Sequence, residues 1–192
     1  MLFGKARPGA EARENAASLL VTSSALVELS LADAREVVKY MRPLKVAPGT
    51  VFIQEGESTN TNFMMLILEG EVTIENEVSS LHESMVMSIS GPGSLIGEMG
   101  LLDGAPRSAT CTATTEVAAA VLSREALLSL IKERPGVGAR LLLAISKRMS
   151  ERLRETNRKL RTFAQLSRAL QQELDATHSV NRQLMGVDPP PA

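Results

Sequence analysis

The sequence predicts an α+β fold in which a jelly-roll-like antiparallel β-roll is flanked by short N-terminal helices and followed by a long C-terminal dimerisation helix. Apolar residues recur at helical spacing between Ala16 and Met41. Short apolar runs separated by glycine turns then continue to Leu122, which is typical of a roll or barrel. After Gly138 neither proline nor glycine occurs before Gly186, so one helix of about fifty residues is expected there.

These patterns divide the chain into four segments. We expect a mobile N-terminal arm over residues 1–15, which are charged and small. The β-roll domain is predicted over residues 16–135, and the long helix or coiled coil over residues 136–186. The proline-rich residues 187–192 are predicted to be a disordered tail.

Helix caps and turns mark the elements in order. Ser30 is expected to cap an N-terminal helix, Pro43 ends the helical pattern, and Ser123 is expected to cap the helix after the roll. The other expected elements are, in order, a turn and strand within 46–53, a strand over 63–68, a strand around Val72 and Ile74, a polar hairpin loop over 75–84, a strand over 85–89, a turn at 91–93, and strands over 107–113 and 117–122.

Composition limits the class of protein. With 192 residues, of which 44% are hydrophobic, the chain can bury one core and carry an extended appendage. The formal net charge of −1 gives no overall signature of nucleic-acid binding. The single cysteine, Cys111, is expected to be a small buried hydrophobic residue. No run of apolar residues is long enough for a membrane span or a secretory signal, so a cytoplasmic location is expected.

No catalytic constellation is visible in the sequence. His82 and His178 have no carboxylate or cysteine at a recognisable ligand spacing, so neither a metal site nor a haem site is predicted. The sequence also offers no Ser-His-Asp arrangement and no paired acids that could be defended as catalytic. We therefore expect a protein that is not an enzyme.

The segment from Gly97 to Thr110 has the composition of an anion-binding site. A helical turn opened by Gly97, Glu98, Met99 and Gly100 would direct backbone N–H groups at one point, which favours a phosphate. Arg107 would supply a guanidinium that can hold two phosphate oxygens. Glu98 makes sense beside a phosphate if it accepts from a neutral hydroxyl, such as a ribose 2′-OH. The alternative is that Arg107 is a surface charge and Glu98 an ordinary residue of a helix N-terminus.

This segment resembles the phosphate-binding cassette of the cyclic nucleotide-binding domain family, which includes the bacterial catabolite activator proteins and the regulatory subunits of cyclic AMP-dependent protein kinases. The match rests on Gly97-Glu98 and on the run from Pro106 to Thr110. The resemblance implies that Glu98 holds the ribose hydroxyl, Arg107 the cyclic phosphate, and Ser108 the phosphate or the base edge. Gly100 stands where the family more often has alanine.

The predicted C-terminal helix carries a heptad repeat. Leucine and phenylalanine fill most of its core positions over about five heptads, and Asn181 at one a position favours a fixed dimer register. The a positions are Leu153, Leu160, Ser167, Leu174 and Asn181, and the d positions are Met149, Thr156, Phe163, Leu170, Thr177 and Leu184. We interpret this as a parallel homodimer; the alternative is a helix that folds back on its own roll.

Thr156 and Asn157 are further candidate ligand contacts. Catabolite activator proteins carry a threonine in a similar Arg-Leu-x-x-Thr run, and the resemblance implies that the Thr156 hydroxyl contacts an adenine amino group. Asn157 stands where those proteins have a serine after the threonine. Thr156 is equally well interpreted as a tolerated polar residue at a d position.

The resemblance to transcription activators stops after this helix. We expect no helix-turn-helix domain and no sequence-specific DNA binding, although basic residues are frequent between Arg140 and Arg168. The leading hypothesis is a receptor for cyclic AMP, or for cyclic GMP, that signals to an unidentified protein partner through its dimeric helix. The alternatives are a dimeric scaffold whose pocket is vestigial or takes another anion, such as a cyclic dinucleotide, and a nucleic-acid-associated regulator that uses the basic helix.

Overall fold

The computed structural model of the protein describes residues 9–78 and 83–184. The helices are α1 (Ala10–Leu20), α2 (Leu31–Val38), α3 (Glu98–Asp103), α4 (Arg124–Glu133) and α5 (Pro135–Leu184). The strands are β1 (Arg42–Val46), β2 (Val51–Ile53), β3 (Phe63–Glu69), β4 (Val72–Val78), β5 (Glu83–Ser90), β6 (Leu95–Ile96), β7 (Thr110–Ala113) and β8 (Val117–Ser123). The predicted architecture of short N-terminal helices, β-roll and long C-terminal helix is confirmed.

Two four-stranded antiparallel sheets face each other to form the roll. The strand orders are β1-β8-β3-β6 and β2-β7-β4-β5. Alternate residues of both sheets point inward and exclude water, as expected of a sandwich core. The inward set is Leu44, Val46, Ile53, Met65, Ile67, Val72, Ile74, Ile96, Cys111, Ala113, Val117, Ala119 and Val121. Cys111 is thus a small buried residue, as predicted.

Strand β1 differs from the expectation, in which Pro43 ends the helical pattern and the first strand lies within 46–53. Pro43 instead lies opposite Ala120 of β8. The strand is at the edge of its sheet. Proline is tolerated there, since one side of an edge strand needs no ladder hydrogen bond.

The hairpin of β4 and β5 is longer than predicted. Residues 75–84 were expected to form a polar loop, but Glu75 pairs with Val86 and Val78 with Glu83. The strands continue because cross-strand pairing satisfies their backbone groups. His82 and the rest of the tip at residues 79–82 lie outside the described residues.

The N-terminal helices begin earlier than the predicted arm allows. Helix α1 starts at Ala10, so residues 10–15 are helical, and Glu14 forms an ion pair with Arg35 of α2 at 2.6 Å. Residues 1–8 lie outside the described residues. The Ser30 cap is confirmed, since its hydroxyl accepts a hydrogen bond from the Asp33 N–H at 3.1 Å.

The helices after the roll start with the expected signals. Ser123 accepts from the Ala126 N–H at 3.2 Å and caps α4, as predicted. Pro135 is the first residue of the 50-residue helix α5, a position that needs no backbone N–H. Residues 185–192, with the predicted tail, lie outside the described residues.

The chain divides into two units, Met1–Arg148 and Met149–Ala192. Within the first unit, Leu141, Ala144 and Ile145 of α5 are buried, and their spacing places them on one face of the helix. In the second unit, the residues from 151 to 181 are exposed. Among the described residues, no helix combines the length and apolar content needed to cross a bilayer.

A charged pair within the first unit joins α2 to the start of α5. Arg140 donates to both carboxylate oxygens of Asp33, at 2.6 and 2.8 Å. The Asp33 side chain is about nine-tenths buried. Hydrogen bonding from Arg140 lowers the pKa of Asp33 below its ordinary value, burial opposes this shift, and the hydroxyl of Ser30 adds to it. The ionised carboxylate is therefore the form that stabilises this contact.

Replacing Asp33 by asparagine should lower the unfolding midpoint near neutral pH, because Arg140 loses its charged acceptor. Since the folded pKa is depressed, this stabilisation is present above about pH 4 and is lost as the pH falls further. Thermal unfolding of wild type and Asp33→Asn at pH 7, 5 and 3 measures it. The exposed ion pair between Glu14 and Arg35 is the control, and Glu14→Gln should lower the unfolding midpoint at pH 7 by less than Asp33→Asn does. A difference between wild type and Asp33→Asn that persists unchanged at pH 3 would contradict this account.

Candidate functional site

Two glycines in the left-handed region set the geometry of the candidate site around α3. Gly97, with φ +82°, is the N-cap of α3, and Gly104, with φ +70°, is its C-cap. Other residues adopt this conformation at a cost, so the two glycines allow the chain to enter and leave a six-residue helix sharply. The first bond within the helix runs from the Leu101 N–H to the Gly97 carbonyl at 3.2 Å. The predicted helical turn at Gly97–Gly100 is thus present.

The backbone of Arg107 is paired with the turn after β2. Its N–H donates to the Glu57 carbonyl at 3.0 Å, and its carbonyl accepts from the Gly56 N–H at 2.8 Å. The Thr110 hydroxyl, at the start of β7, accepts from the Glu55 N–H at 3.1 Å. These contacts fix the point from which the arginine side chain extends.

The side chain of Arg107 is buried, with only 5% of the residue's surface exposed. The Nη1 group donates to the carbonyls of Phe63, at 3.2 Å, and Gly97, at 3.3 Å. The Nη2 group donates to the Asn60 carbonyl at 2.8 Å. Two separate segments of the chain, residues 60–63 and Gly97, therefore hold one guanidinium. The interpretation of Arg107 as a surface charge is excluded.

Asn60, before β3, and Phe63, within β3, belong to the set of groups around the Arg107 guanidinium, which we call the cradle. Asn60 has φ +53°, and among non-glycine residues asparagine adopts the left-handed region with relative ease. The guanidinium carbon Cζ lies 4.3 Å from the centroid of the Phe63 ring. A cation over an aromatic face is attracted by the ring quadrupole, more strongly where water is excluded.

A count of donors shows what Arg107 can still bind. Arginine has five N–H donors, and three of them serve the carbonyls of Asn60, Phe63 and Gly97. The buried Nε atom has no hydrogen-bond partner. Nε–H and the second Nη2–H are donors on neighbouring nitrogens, a pair that suits two oxygens of one phosphate. The residues present therefore fit an anion of this type.

The positive charge of Arg107 persists despite burial. Desolvation lowers the pKa of the guanidinium from its ordinary value, and electrostatic interactions with Cys111, Glu57 and Glu98 oppose the shift. Arginine nevertheless keeps its proton in proteins. A buried positive charge whose hydrogen bonds go to neutral carbonyls attracts an anionic ligand, because low-dielectric surroundings screen that attraction only weakly.

The other predicted site residues lie around α3. Glu98 is 4% exposed and occupies the first turn of α3, where a carboxylate interacts favourably with the helix dipole. Met99 is 43% exposed. The exposed Ser108 hydroxyl donates to Met99 Sδ at 3.9 Å, and the Ser108 carbonyl accepts from Asn76 Nδ2 at 2.9 Å. Gly100 is buried next to Arg107.

Thr156 and Asn157 belong to the second unit. The Thr156 hydroxyl donates to the Arg152 carbonyl one turn earlier in α5, at 3.0 Å. Thr156 and Asn157 are both exposed. Their role as ligand contacts stays a prediction.

Sequence reasoning missed Asn60 and Phe63. Both act on Arg107 from 44 or more positions away in the chain, so no local pattern connects them to it. The polar run from Ser58 to Asn62 directly before an apolar strand was a signal for a turn, but not for the direction of its carbonyls. Among the described residues, no cluster of three or more His, Cys, Asp or Glu side chains could hold a metal ion.

Comparison with known proteins agrees with this geometry. Residues 43–134 match the family model of the cyclic nucleotide-binding domain. A CRP-like cAMP-activated global transcriptional regulator of Mycobacterium tuberculosis is 32% identical over 124 residues, which are 65% of this chain and 52% of the relative. The chain thus spans about half the length of that relative. Residues 43–134, which include most of the β-roll, therefore match the cyclic nucleotide-binding domain family.

Two solved structures have a fold similar to that of this chain. A cyclic nucleotide-binding domain from Methylobacillus flagellatus superposes with a TM-score of 0.65 at 28% identity, over 76% of this chain and 80% of that one. The regulatory domain of Toxoplasma gondii PKA, solved with cAMP, superposes with a TM-score of 0.57 at 25% identity, over 66% of this chain and 47% of that one.

Gly100→Ala should destabilise the protein. An added Cβ would lie 2.5 Å from the Thr61 carbonyl oxygen and 2.9 Å from Arg107 Nη1, so backbone and guanidinium would have to shift. We expect a loss of about 1–3 kcal/mol in the free energy of unfolding, typical of overpacking. Chemical denaturation measures it. Gly136→Ala is the matched control and should be neutral or slightly stabilising, since its Cβ would meet only Arg140 Nη1, at 3.4 Å. A stable Gly100→Ala variant would show that the cradle tolerates a methyl group.

Proposed function

We propose that this protein is a non-enzymatic, cytoplasmic receptor for a cyclic nucleotide, with cyclic AMP as the preferred ligand and cyclic GMP as its competitor. The observation that carries the proposal is the buried Arg107 with its unpartnered Nε. A guanidinium in this position would bind the cyclic phosphate through Nε–H and Nη2–H. The carbonyls that hold Nη1 and Nη2 would keep its plane fixed on binding.

The roles of the remaining cassette residues follow from their chemistry. Glu98 would accept a hydrogen bond from the ribose 2′-hydroxyl, and the amides of Met99 and Gly100 would donate toward the phosphate, since they precede the first bond within α3. Ser108 and Met99 form an exposed edge that would face the ribose or the base.

The preference for cyclic AMP rests on two arguments. The M. tuberculosis relative is described as cAMP-activated, and Thr156 carries a hydroxyl that would accept from an adenine amino group. Ser108 is compatible with both purines, so the choice between cyclic AMP and cyclic GMP depends on contacts outside the cassette.

We further propose that the second unit forms a parallel coiled-coil homodimer that passes the signal to a protein partner. Leu153, Leu160, Phe163, Leu170 and Leu174 occupy a and d positions and are 53–66% exposed in the single chain. A long helix with such a row gains most of its stability from packing against another helix. A second copy in the same register would cover each leucine with its equivalent.

Arg107→Lys and Arg107→Ala should weaken cyclic AMP binding by about 100-fold or more, because two charge-assisted hydrogen bonds are lost or distorted. Isothermal titration with cyclic AMP and cyclic GMP measures this, and circular dichroism checks that each variant is folded. Arg42→Ala, at an exposed arginine of edge strand β1, is the control and should bind normally. Unchanged affinity in a folded Arg107 variant would refute the site.

Glu98→Gln should reduce discrimination between cyclic AMP and its 2′-deoxy analogue. Wild type is expected to prefer cyclic AMP by about 10-fold, the worth of one charge-assisted hydrogen bond, and the variant by less. Competition titration of both ligands against both proteins gives the ratio. Equal discrimination by wild type and variant would remove Glu98 from the ribose contact.

Leu160→Asp should dissociate the proposed dimer, because two carboxylates would face each other at an apolar a position. Sedimentation velocity at micromolar protein concentration measures the oligomeric state. Gln165→Asp introduces the same charge at an f position, away from the proposed interface, and should leave the dimer intact. Dimers that survive Leu160→Asp would place the interface elsewhere.

A further inference from the structure

Phe63 lies outside the cassette but contacts the Arg107 guanidinium directly. The guanidinium has three hydrogen bonds to backbone carbonyls, and its Cζ lies over the Phe63 ring, 4.3 Å from the ring centroid. Phe63 thus contacts Arg107 twice, through its backbone carbonyl and through its ring. Any residue could supply the carbonyl, but only an aromatic residue could supply the ring.

Phe63 is itself fixed by the fold. It is the first residue of β3, where it pairs with Ser123 of β8, and its side chain packs against the core between the sheets. The ring therefore belongs to a strand rather than to a mobile loop. Arginine has many rotamers, and a rigid surface against its face removes most of them before a ligand arrives.

We propose that Phe63 is a positioning residue for the phosphate-binding arginine: its ring holds the Arg107 guanidinium in the plane that directs Nε–H at the anion. The ring attracts the cation without accepting any of its N–H donors, so both remaining donors stay available. A carboxylate at this position would hold the arginine as firmly, but it would neutralise the charge that the anion needs. This inference rests on the proposed function, and it adds a determinant of affinity that lies outside the cassette.

The first test is titration of cyclic AMP into wild type, Phe63→Leu and Phe63→Tyr. Leucine keeps an apolar group against the core but removes the ring, and we expect affinity to fall by about 3- to 30-fold, the range of a desolvated cation–π contact. Tyrosine keeps the ring and should restore binding to within about twofold of wild type. Phe52→Leu is the matched control, since Phe52 is also partly buried against the same core. We expect it to bind as wild type does.

The second test observes the arginine without a ligand. In ¹H–¹⁵N spectra, the Nε–H signal of Arg107 is assigned by its disappearance in Arg107→Lys. We expect this signal to show a ring-current shift and slow exchange with water in wild type and Phe63→Tyr, and to lose both in Phe63→Leu. The ring-current shift disappears with the ring itself, so the exchange rate with water is the deciding reading. Faster exchange in Phe63→Leu but not in Phe52→Leu would not follow from a loss of core packing alone.

The outcomes separate this inference from the proposed function. Equal affinities of wild type and Phe63→Leu, or equal weakening by Phe63→Leu and Phe52→Leu, would overturn the role of Phe63 and leave the receptor function standing. Failure of wild type to bind either cyclic nucleotide would overturn the receptor function, and the Arg107 signal would still decide the role of Phe63. An Arg107 signal that is identical in wild type and Phe63→Leu would refute it.

Discussion

The structure depends on the burial of one charge. Placing a guanidinium inside a β-roll carries a large desolvation cost, which is tolerable only if most of its donors are satisfied. Here the carbonyls of Asn60, Phe63 and Gly97 meet that requirement, and they come from two distant parts of the chain. Arg107 therefore joins the turn before β3, β3 itself and the start of α3 into one body, and the same contacts leave the buried Nε–H without a hydrogen-bond partner.

The backbone requirements of the site follow from that charge. Arg107 Nη1 lies within 2.9 Å of where a Cβ at either Gly97 or Gly100 would be, so small residues are needed on that side of the guanidinium. Asn60 adopts a left-handed conformation and directs its carbonyl at Nη2. Two of the residues with positive φ, Asn60 and Gly97, thus lie where carbonyls approach the guanidinium, and backbone strain of this kind is found preferentially at functional sites.

The cassette could be predicted from the sequence because its residues are adjacent in the chain. The Ser30 and Ser123 caps and helix α5 could be predicted because their signals are local. Strand β1 was missed because Pro43 is acceptable only at a sheet edge, which is a property of the whole sheet. The contacts of Asn60 and Phe63 with Arg107 were missed for the same kind of reason, since they arise from the tertiary packing of segments that are far apart in the chain. The heptad repeat predicts a dimer, but pairing between chains is a property of the assembly, and it stays a prediction together with the contacts of Thr156.

The most direct measurement is a crystal structure of the protein with cyclic AMP. The account predicts that two oxygens of the cyclic phosphate lie about 2.7–2.9 Å from Arg107 Nε and Nη2, the length of charge-assisted hydrogen bonds. Nη1 should keep its bonds to the carbonyls of Phe63 and Gly97, with the guanidinium still over the Phe63 ring. A phosphate bound away from Arg107, or an arginine that leaves these carbonyls and the ring to reach it, would contradict the account.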